Sequence, residues 1–296
     1  MNNKIKSYIS ITLVTFFWGL SFISTKICLK WFTPISLAFY RFLIATIVLF
    51  IILILTEKNL KIDKTDIFKI VLMGFTGMFL YFTFENLALS LMSASLASVL
   101  IALMPAFAVL GDFFILKKPI SKVKIISVLI SIVGACLVAG FNSEENSKNL
   151  VLGIILIMVS LVSWLAYNYL SIPLQKKYST IKITFYQTVF GTLFFLICLP
   201  FSRTNFANFS SVGLLNLLFL GVLCSAVCYL LYNYSLNHID VVICSIFINL
   251  MPIITVTASV IILHEKVSLI QILGTSLVIL SVFVATKEKS SNISNY

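Results

Sequence analysis

Three charged residues stand where charge is expensive. The 296-residue chain carries Arg41 in "AFYRFLIATIVLF", Glu85 in "LYFTFENLALS" and Asp112 in "AVLGDFFIL". A charge at the centre of a membrane costs at least about 2.5–3.5 kcal/mol, so each needs a partner or a task. Arg41 and Glu85 have opposite signs and fall in the outer halves of their apolar runs. They are expected to pair in a resting state, with Arg41 able to turn instead to an anionic group of a substrate. A guanidinium suits that exchange because its planar donors match the two oxygens of a carboxylate. The plainer alternatives are a purely structural ion pair, or an Arg41 that reaches lipid headgroups. Asp112 lies about one turn from the end of its run, near Lys117, and is expected to snorkel or pair there.

Uncharged candidates surround this pair. Trp18, Tyr40, Tyr81, Asn86, Trp164, Asn168, Tyr186, Gln187 and Asn233 are taken as substrate-contacting candidates, with Ser21, Tyr167, Tyr232 and Asn249 as further polar or aromatic positions. An asparagine inside an apolar run must find a hydrogen bond, and a cavity holding water or substrate is one place to find it. Trp18 and Trp164 sit too deep for interfacial anchors, which leaves cavity wall or packing. An aromatic-walled cavity with few charges suits small apolar or zwitterionic solutes.

Catalytic and metal chemistry are not expected. "HEK" at 264–266 lacks the second histidine of a zinc-protease helix, and "DKTD" at 63–66 has no second copy. All six cysteines lie within or beside apolar runs. Cys224 and Cys228 are one turn apart, but no histidine or carboxylate is near them in sequence, so packing is the reading. No metal and no cofactor are implied.

The elements that must hold these residues follow from composition. Sixty per cent of the residues are hydrophobic and 10% charged, too few for a water-facing surface. A lipid-spanning helix needs about 20 apolar residues, and ten runs qualify: 7–29, 34–55, 67–89, 94–116, 121–140, 150–171, 181–200, 211–236, 241–263 and 268–286. They are apolar on both parities, which argues for helices over β-strands. The first run contains Trp18 and has no small-residue cleavage pattern, so it reads as a span and not a leader.

The net charge of +11 orients the chain. With the N-terminus inside, fifteen basic residues fall on the cytoplasmic side and five outside. The positive-inside rule then places both termini in the cytoplasm, and the basicity needs no nucleic-acid partner. Small residues recur at Ser127, Ser131, Ala135 and Ala139 of the fifth run, a stripe that allows close helix approach. Packing within a monomer is preferred to a homodimer. Lysines outnumber arginines nineteen to two, which suggests an AT-rich bacterial genome.

The chain repeats itself. Trp18 and Trp164 are 146 residues apart, as are "FYR" at 39–41 and "FYQ" at 185–187. From the third run the offset becomes 147: "NLAL" at 86–89 matches "NYSL" at 233–236, and "LMP" at 103–105 matches "LMP" at 250–252. Two homologous halves, 1–143 and 144–296, each of five spans, are therefore expected. Five is odd, so the second half must run inverted to the first, around a central cavity. Pro105 and Pro252 both fall near mid-membrane, where a proline removes a backbone hydrogen bond. They are read as hinges, with a static packing kink as the alternative.

These features resemble the EamA-type branch of the drug/metabolite transporter superfamily. The resemblance is carried by "FWGLSFISTK" at 17–26, "TPISLAFYRFLIATIVLF" at 33–50, "ASLASVLIALMPAFAVL" at 94–110 and "LMPIITVTASVIILHEKVSLIQILGTSLVIL" at 250–280. It implies a plasma-membrane permease that exports or exchanges small metabolites, amino acids among them, with no ATPase of its own. Matching positions include Trp18, Gly19, Arg41, Pro105, Pro252 and Glu265. One departure is visible: the acid usual at the end of the fourth span is here Lys118. A broad-specificity drug efflux carrier and a passive channel remain as alternatives, and membrane lipids and a small-molecule substrate are the expected partners.

Overall fold

The computed structural model describes residues 3–115, 117, 122–140, 147–202, 204, 209–239 and 241–293. Lys118, Arg203 and the stretch 142–146 lie outside the described residues, as do the side chains of Asp112, Lys124, Ser131, Ala135, Cys136, Ala139, Lys148, Lys287 and Lys289. Among the described residues every regular element is a helix. In order these are α1 (Asn3–Cys28), α2 (Pro34–Thr56), α3 (Lys64–Leu91), α4 (Ala94–Ile101), α5 (Met104–Phe114) and α6 (Lys122–Gly140). They continue with α7 (Ser147–Gln175), α8 (Thr180–Cys198), α9 (Ser211–His238), α10 (Val241–Ile248), α11 (Met251–Leu263) and α12 (Leu269–Ile293).

Local chemistry starts several of them. Thr33, Ser93 and Ser210 sit in extended backbone just before α2, α4 and α9, and their hydroxyls accept from the N–H groups of Ser36, Leu96 and Gly213. Each hydroxyl satisfies one of the four donors that a helix start leaves unpaired.

Seven helical stretches among the described residues are long and apolar enough to cross a membrane: α1, α2, α3, α4 with α5, α7, α8 and α9. Ten were expected; the three runs outside this set, 121–140, 241–263 and 268–286, each contain side chains outside the described residues. The ninth run is interrupted at Asn249–Leu250 into α10 and α11. The fourth run breaks in the same way at Ala102–Leu103. Pro105 and Pro252 each fall in the first turn of the helix that follows the break. There the missing N–H has no intrahelical acceptor anyway. The expected kinks in continuous helices are thus breaks between separate helices.

The surface is inverted relative to a water-soluble protein. Leu55, Phe201 and Leu269 are 78%, 90% and 79% exposed, while Arg41, Asn86, Gln187 and Asn233 are buried. Such a partition is stable where the surrounding solvent is hydrocarbon, and the chain is a multi-pass membrane protein.

Contacts define two ends. At one, Thr33 of the α1–α2 turn bonds Ser202, Trp31 and Phe32 pack on Phe209, and Lys26 reaches the end of α3. At the other, Ser235 bonds the Ser7 carbonyl, Tyr186 the Leu60 carbonyl, and Lys177 pairs with Asp63 and Asp66. The core between them is aromatic, gathered where α1, α2, α3, α7 and α9 meet. Outside it, α6 lies along α12, close enough that a Cβ on Gly134 would stand 2.7 Å from the Gly274 carbonyl oxygen.

Candidate functional site

The site is built on two irregular turns. α3 is π-helical over Gly74–Leu80 and α9 over Phe219–Val227, which contains the positions equivalent under the 147-residue offset. A π-turn reaches its acceptor five residues away and so disturbs the ordinary ladder, a feature frequent at functional sites. Side chains from other helices fill the disturbance. Trp18 Nε1 donates to the Cys224 carbonyl at 2.9 Å, and the Tyr229 hydroxyl to the Gly77 carbonyl at 3.1 Å. Residues 77 and 224 are themselves equivalent, so each half offers the same carbonyl to a core aromatic. Gly74 and Gly221 let the turns approach: a Cβ on Gly74 would lie 2.6 Å from the Gln187 carbonyl oxygen, and on Gly221 2.7 Å from Ile44 Cβ.

A small cavity of about 20 Å³, room for a water molecule, opens beside these turns. Six residues singled out in the sequence line it together: Trp18, Ser21, Arg41, Tyr81, Glu85 and Trp164. Sequence reasoning did not single out Phe22, Phe82, Tyr229 or Met251, which complete the wall. Being apolar or aromatic in an apolar chain, they carry no local signal. Trp18 meets Trp164 edge-on at 5.5 Å, and Tyr81 lies 5.0 Å from Trp164, geometries that aromatic quadrupoles favour.

Arg41 and Glu85 share this cavity but form no ion pair, contrary to expectation. Arg41 Nε donates to Ser225 Oγ at 2.5 Å, and its guanidinium lies 4.4 Å from the Phe82 ring centre, a cation–π arrangement. Glu85 Oε1 accepts from the Tyr81 hydroxyl at 2.9 Å, one turn away on the same helix. Two neutral partners, supplied by α9 and by the turn after the π-segment, take the place of the opposite charge.

The other predicted contacts are not in the cavity wall. Tyr40 packs on Phe32 and Phe39. Asn86 donates to the Pro34 carbonyl at 3.1 Å, tying α3 to the start of α2. Tyr186 reaches the Leu60 carbonyl. Gln187 and Asn233 belong to a buried network, in which Tyr167 donates to Asn233 Oδ1 at 2.8 Å and accepts from Gln187, and Asn233 donates to Thr184; in a separate buried pair Tyr232 donates to Asn168 Oδ1 at 2.9 Å. By the repeat, Tyr167 and Tyr232 stand where the first half has Ser21 and Glu85. Two tyrosines therefore fill the second half where a serine and a carboxylate leave room in the first.

Charged side chains close both ends. Glu265 accepts from the Ala94 and Ser95 N–H groups at 3.0 and 3.3 Å and from Ser95 Oγ at 2.6 Å, capping α4. Lys26 Nζ donates to the Leu89 and Met92 carbonyls at 2.6 and 2.5 Å, where the end of α3 favours a cation. At the opposite end Lys177 Nζ lies 2.5 Å from Asp63 and 2.6 Å from Asp66, which also accepts from the Tyr178 hydroxyl. The hydrogen bond from Lys177 holds the Asp63 carboxyl below the usual aspartate range, and the two carboxylates hold the Lys177 ammonium above the usual lysine range. Lys117 and His264, equivalent under the 147-residue offset, both adopt left-handed backbone (φ 51° and 55°). Among the described residues no three His, Cys, Asp or Glu side chains converge on a metal position.

Known proteins give the arrangement its setting. The family described as "EamA-like transporter family" matches the chain twice, over residues 5–140 and 151–287. A protein of Archaeoglobus fulgidus called "Uncharacterized transporter" is 30% identical over 96% of this chain and 100% of its own length. The Bacillus subtilis "Uncharacterized transporter YetK" is 23% identical over 98% of this chain and 89% of its own. A solved crystal structure at 17% identity superposes with a TM-score of 0.72, covering 96% of both chains, and shares the fold. This chain is a membrane transporter that belongs to the EamA-like transporter family.

Proposed function

We propose that the protein is a secondary carrier that exports or exchanges a small zwitterionic metabolite, an amino acid or a relative of one, by alternating access. The observation that carries this reading is the cavity that Arg41 and Glu85 share without pairing to each other. Arg41 Nε is spent on Ser225, which leaves the two terminal NH₂ groups for the fork of a carboxylate. Glu85 is placed to take an ammonium group on the same ligand. The rings of Trp18, Trp164 and Tyr81 flank the space that an uncharged side chain would occupy.

In this reading the two halves are inverted five-span repeats that exchange roles about the Trp18–Trp164 contact. The breaks before Pro105 and Pro252 are the places where α4–α5 and α10–α11 can bend. Broken helices at mid-membrane are a recurrent device of secondary transporters. Both termini face the cytoplasm of a bacterial plasma membrane, and the Lys177 end is the cytoplasmic one.

The test is counterflow of labelled amino acids into proteoliposomes. Saturable flux that is stimulated by internal substrate supports a carrier, whereas flux without saturation or exchange marks a channel. Arg41→Lys keeps the charge and loses the fork, so flux is expected to fall at least tenfold. Full flux in that variant refutes bidentate recognition. Unchanged rates in Pro105→Ala combined with Pro252→Ala refute the hinges.

A further inference from the structure

One face of α7 carries side-chain amide groups that neither the cavity nor the packing accounts for. Trp164 lines the cavity, and Asn168, Ser171 and Gln175 follow it at helical spacing. At 3.6 residues per turn these four fall within roughly 60° of one another around the helix, and the row extends about 16 Å from Trp164 to Gln175. It ends two residues before Lys177, at the end of the bundle closed by Asp63 and Asp66.

All three polar residues are buried, Asn168 to 1% exposure and Gln175 to 3%. Asn168 Nδ2 and both amide atoms of Gln175 have no hydrogen-bond partner. A buried amide without a partner costs as much as a lost hydrogen bond, and a helix surrounded by lipid and protein gains nothing from keeping it. The repeat supplies a comparison. The equivalent positions of the first half are Phe22 and Thr25 of α1 and Leu29 just past its end, so the matching face there is largely apolar. The polar row is therefore a property of one half and one direction.

We infer that this face of α7 is a wall of the route between the cavity and the Lys177 end, and that the route carries polar, hydrated solute. The amides are satisfied when the route fills and are left bare in the closed form described here. Tyr167 and Tyr232 close it beside the cavity, and the Lys177 ion pairs close it at the surface. The inference rests on the carrier reading above for its purpose, but its geometry can be tested without knowing the substrate.

Single cysteines at Asn168→Cys, Ser171→Cys and Gln175→Cys are exposed in proteoliposomes to a membrane-impermeant maleimide. Labelling is read peptide by peptide by mass spectrometry, so native cysteines count separately. Val162→Cys, on the opposite, outward face of the helix, is the control, and Lys176→Cys reports the side from which reagent arrives. The three row positions are expected to react at least tenfold faster than the control, from the side of Lys176→Cys. Rates no faster than the control overturn the route.

Gln175→Leu gives a second reading that does not depend on labelling. A leftover buried amide predicts a thermal midpoint equal to or above that of the parent, with unchanged flux. The route predicts the same midpoint with flux lowered at least fivefold, and unchanged flux overturns it. Should the cysteines react while Arg41→Lys transports fully, the substrate reading fails and the route stands. Should flux depend on Arg41 while the cysteines stay unreactive, only the route falls.

Discussion

Replacing Gly77 by alanine places a Cβ 2.4 Å from Tyr167 Cδ2 and 2.5 Å from its Cγ. The ring would have to retreat by about 1 Å to reach ordinary contact. It is not free to do so. Its hydroxyl holds Asn233 at 2.8 Å and Gln187 at 3.2 Å, and Trp164 lies against its face at 5.0 Å. Overpacking of this kind costs about 1–3 kcal/mol, and each interhelical hydrogen bond lost in a membrane adds about 0.6 kcal/mol. Better helix propensity returns up to about 1 kcal/mol. A net loss of roughly 1–3 kcal/mol follows. Gly153→Ala is the matched control, because its Cβ would also meet an atom at 2.4 Å, the Cε of Met92. A methionine methyl can swing aside about three rotatable bonds, so this variant is expected to be neutral or slightly more stable. Thermal midpoints of the two purified variants in the same detergent give the comparison. Adding Gly77→Ala to Tyr167→Ala should then cost less than adding it to the parent. Equal midpoints for the two glycine variants, or an undiminished cost in the Tyr167→Ala background, would refute the claim that the Tyr167 ring is what Gly77 accommodates.

Three further outcomes are expected. Trp18→Phe leaves the Cys224 carbonyl of the π-turn without its donor and should lower stability by about 0.6–1.7 kcal/mol, while Tyr8→Phe, exposed at a helix end, should not. Glu265→Ala removes the cap of α4 and should cost about 0.5–2 kcal/mol; Glu265→Gln keeps an acceptor and should cost less, so the reverse order of midpoints argues against a capping role. The ion pairs of Lys177 respond to pH and salt. Because Asp63 is held below its ordinary range, its contribution is present above that range and is lost as pH falls through the lowered value. Lys177, held above its range, keeps its contribution until pH rises through the raised value. Tryptic cleavage at Lys58 and Lys61 should therefore be slow and insensitive to pH near neutrality, and faster in 1 M salt, where charges are screened beyond about 3 Å, or in Lys177→Ala. Cleavage that ignores both would refute the latch.

Much of the molecule was legible in one dimension because the relevant signals are local. Apolar runs of membrane length, the 146- and 147-residue offsets and the paired prolines need only the order of residues, as do the motifs that carry the family resemblance. Arg41, Glu85, Trp18 and Trp164 were also visible, since a charge or an indole deep in an apolar run is conspicuous wherever it ends up. The membership of the cavity was not. Tyr40, Gln187 and Asn233 looked equivalent to the residues that line it, yet they lie elsewhere, because which side of a helix faces a cavity depends on its rotation against its neighbours.

The π-turns at Gly74–Leu80 and Phe219–Val227 make that rotation unreadable from spacing. One extra residue in a turn advances every later side chain by about 100° around the axis, and both Tyr81 and Glu85 come after such a turn. Opposite charges in neighbouring spans suggested a salt bridge, but folding brought Ser225 and Phe82 to Arg41 and Tyr81 to Glu85. The sequence alone determined that the chain crosses a membrane, is duplicated and sets an arginine and a glutamate within apolar runs. Only the tertiary structure decided that these two charges would face one cavity unpaired, because hydrogen-bond partners are chosen by three-dimensional proximity, which an offset along the chain does not encode.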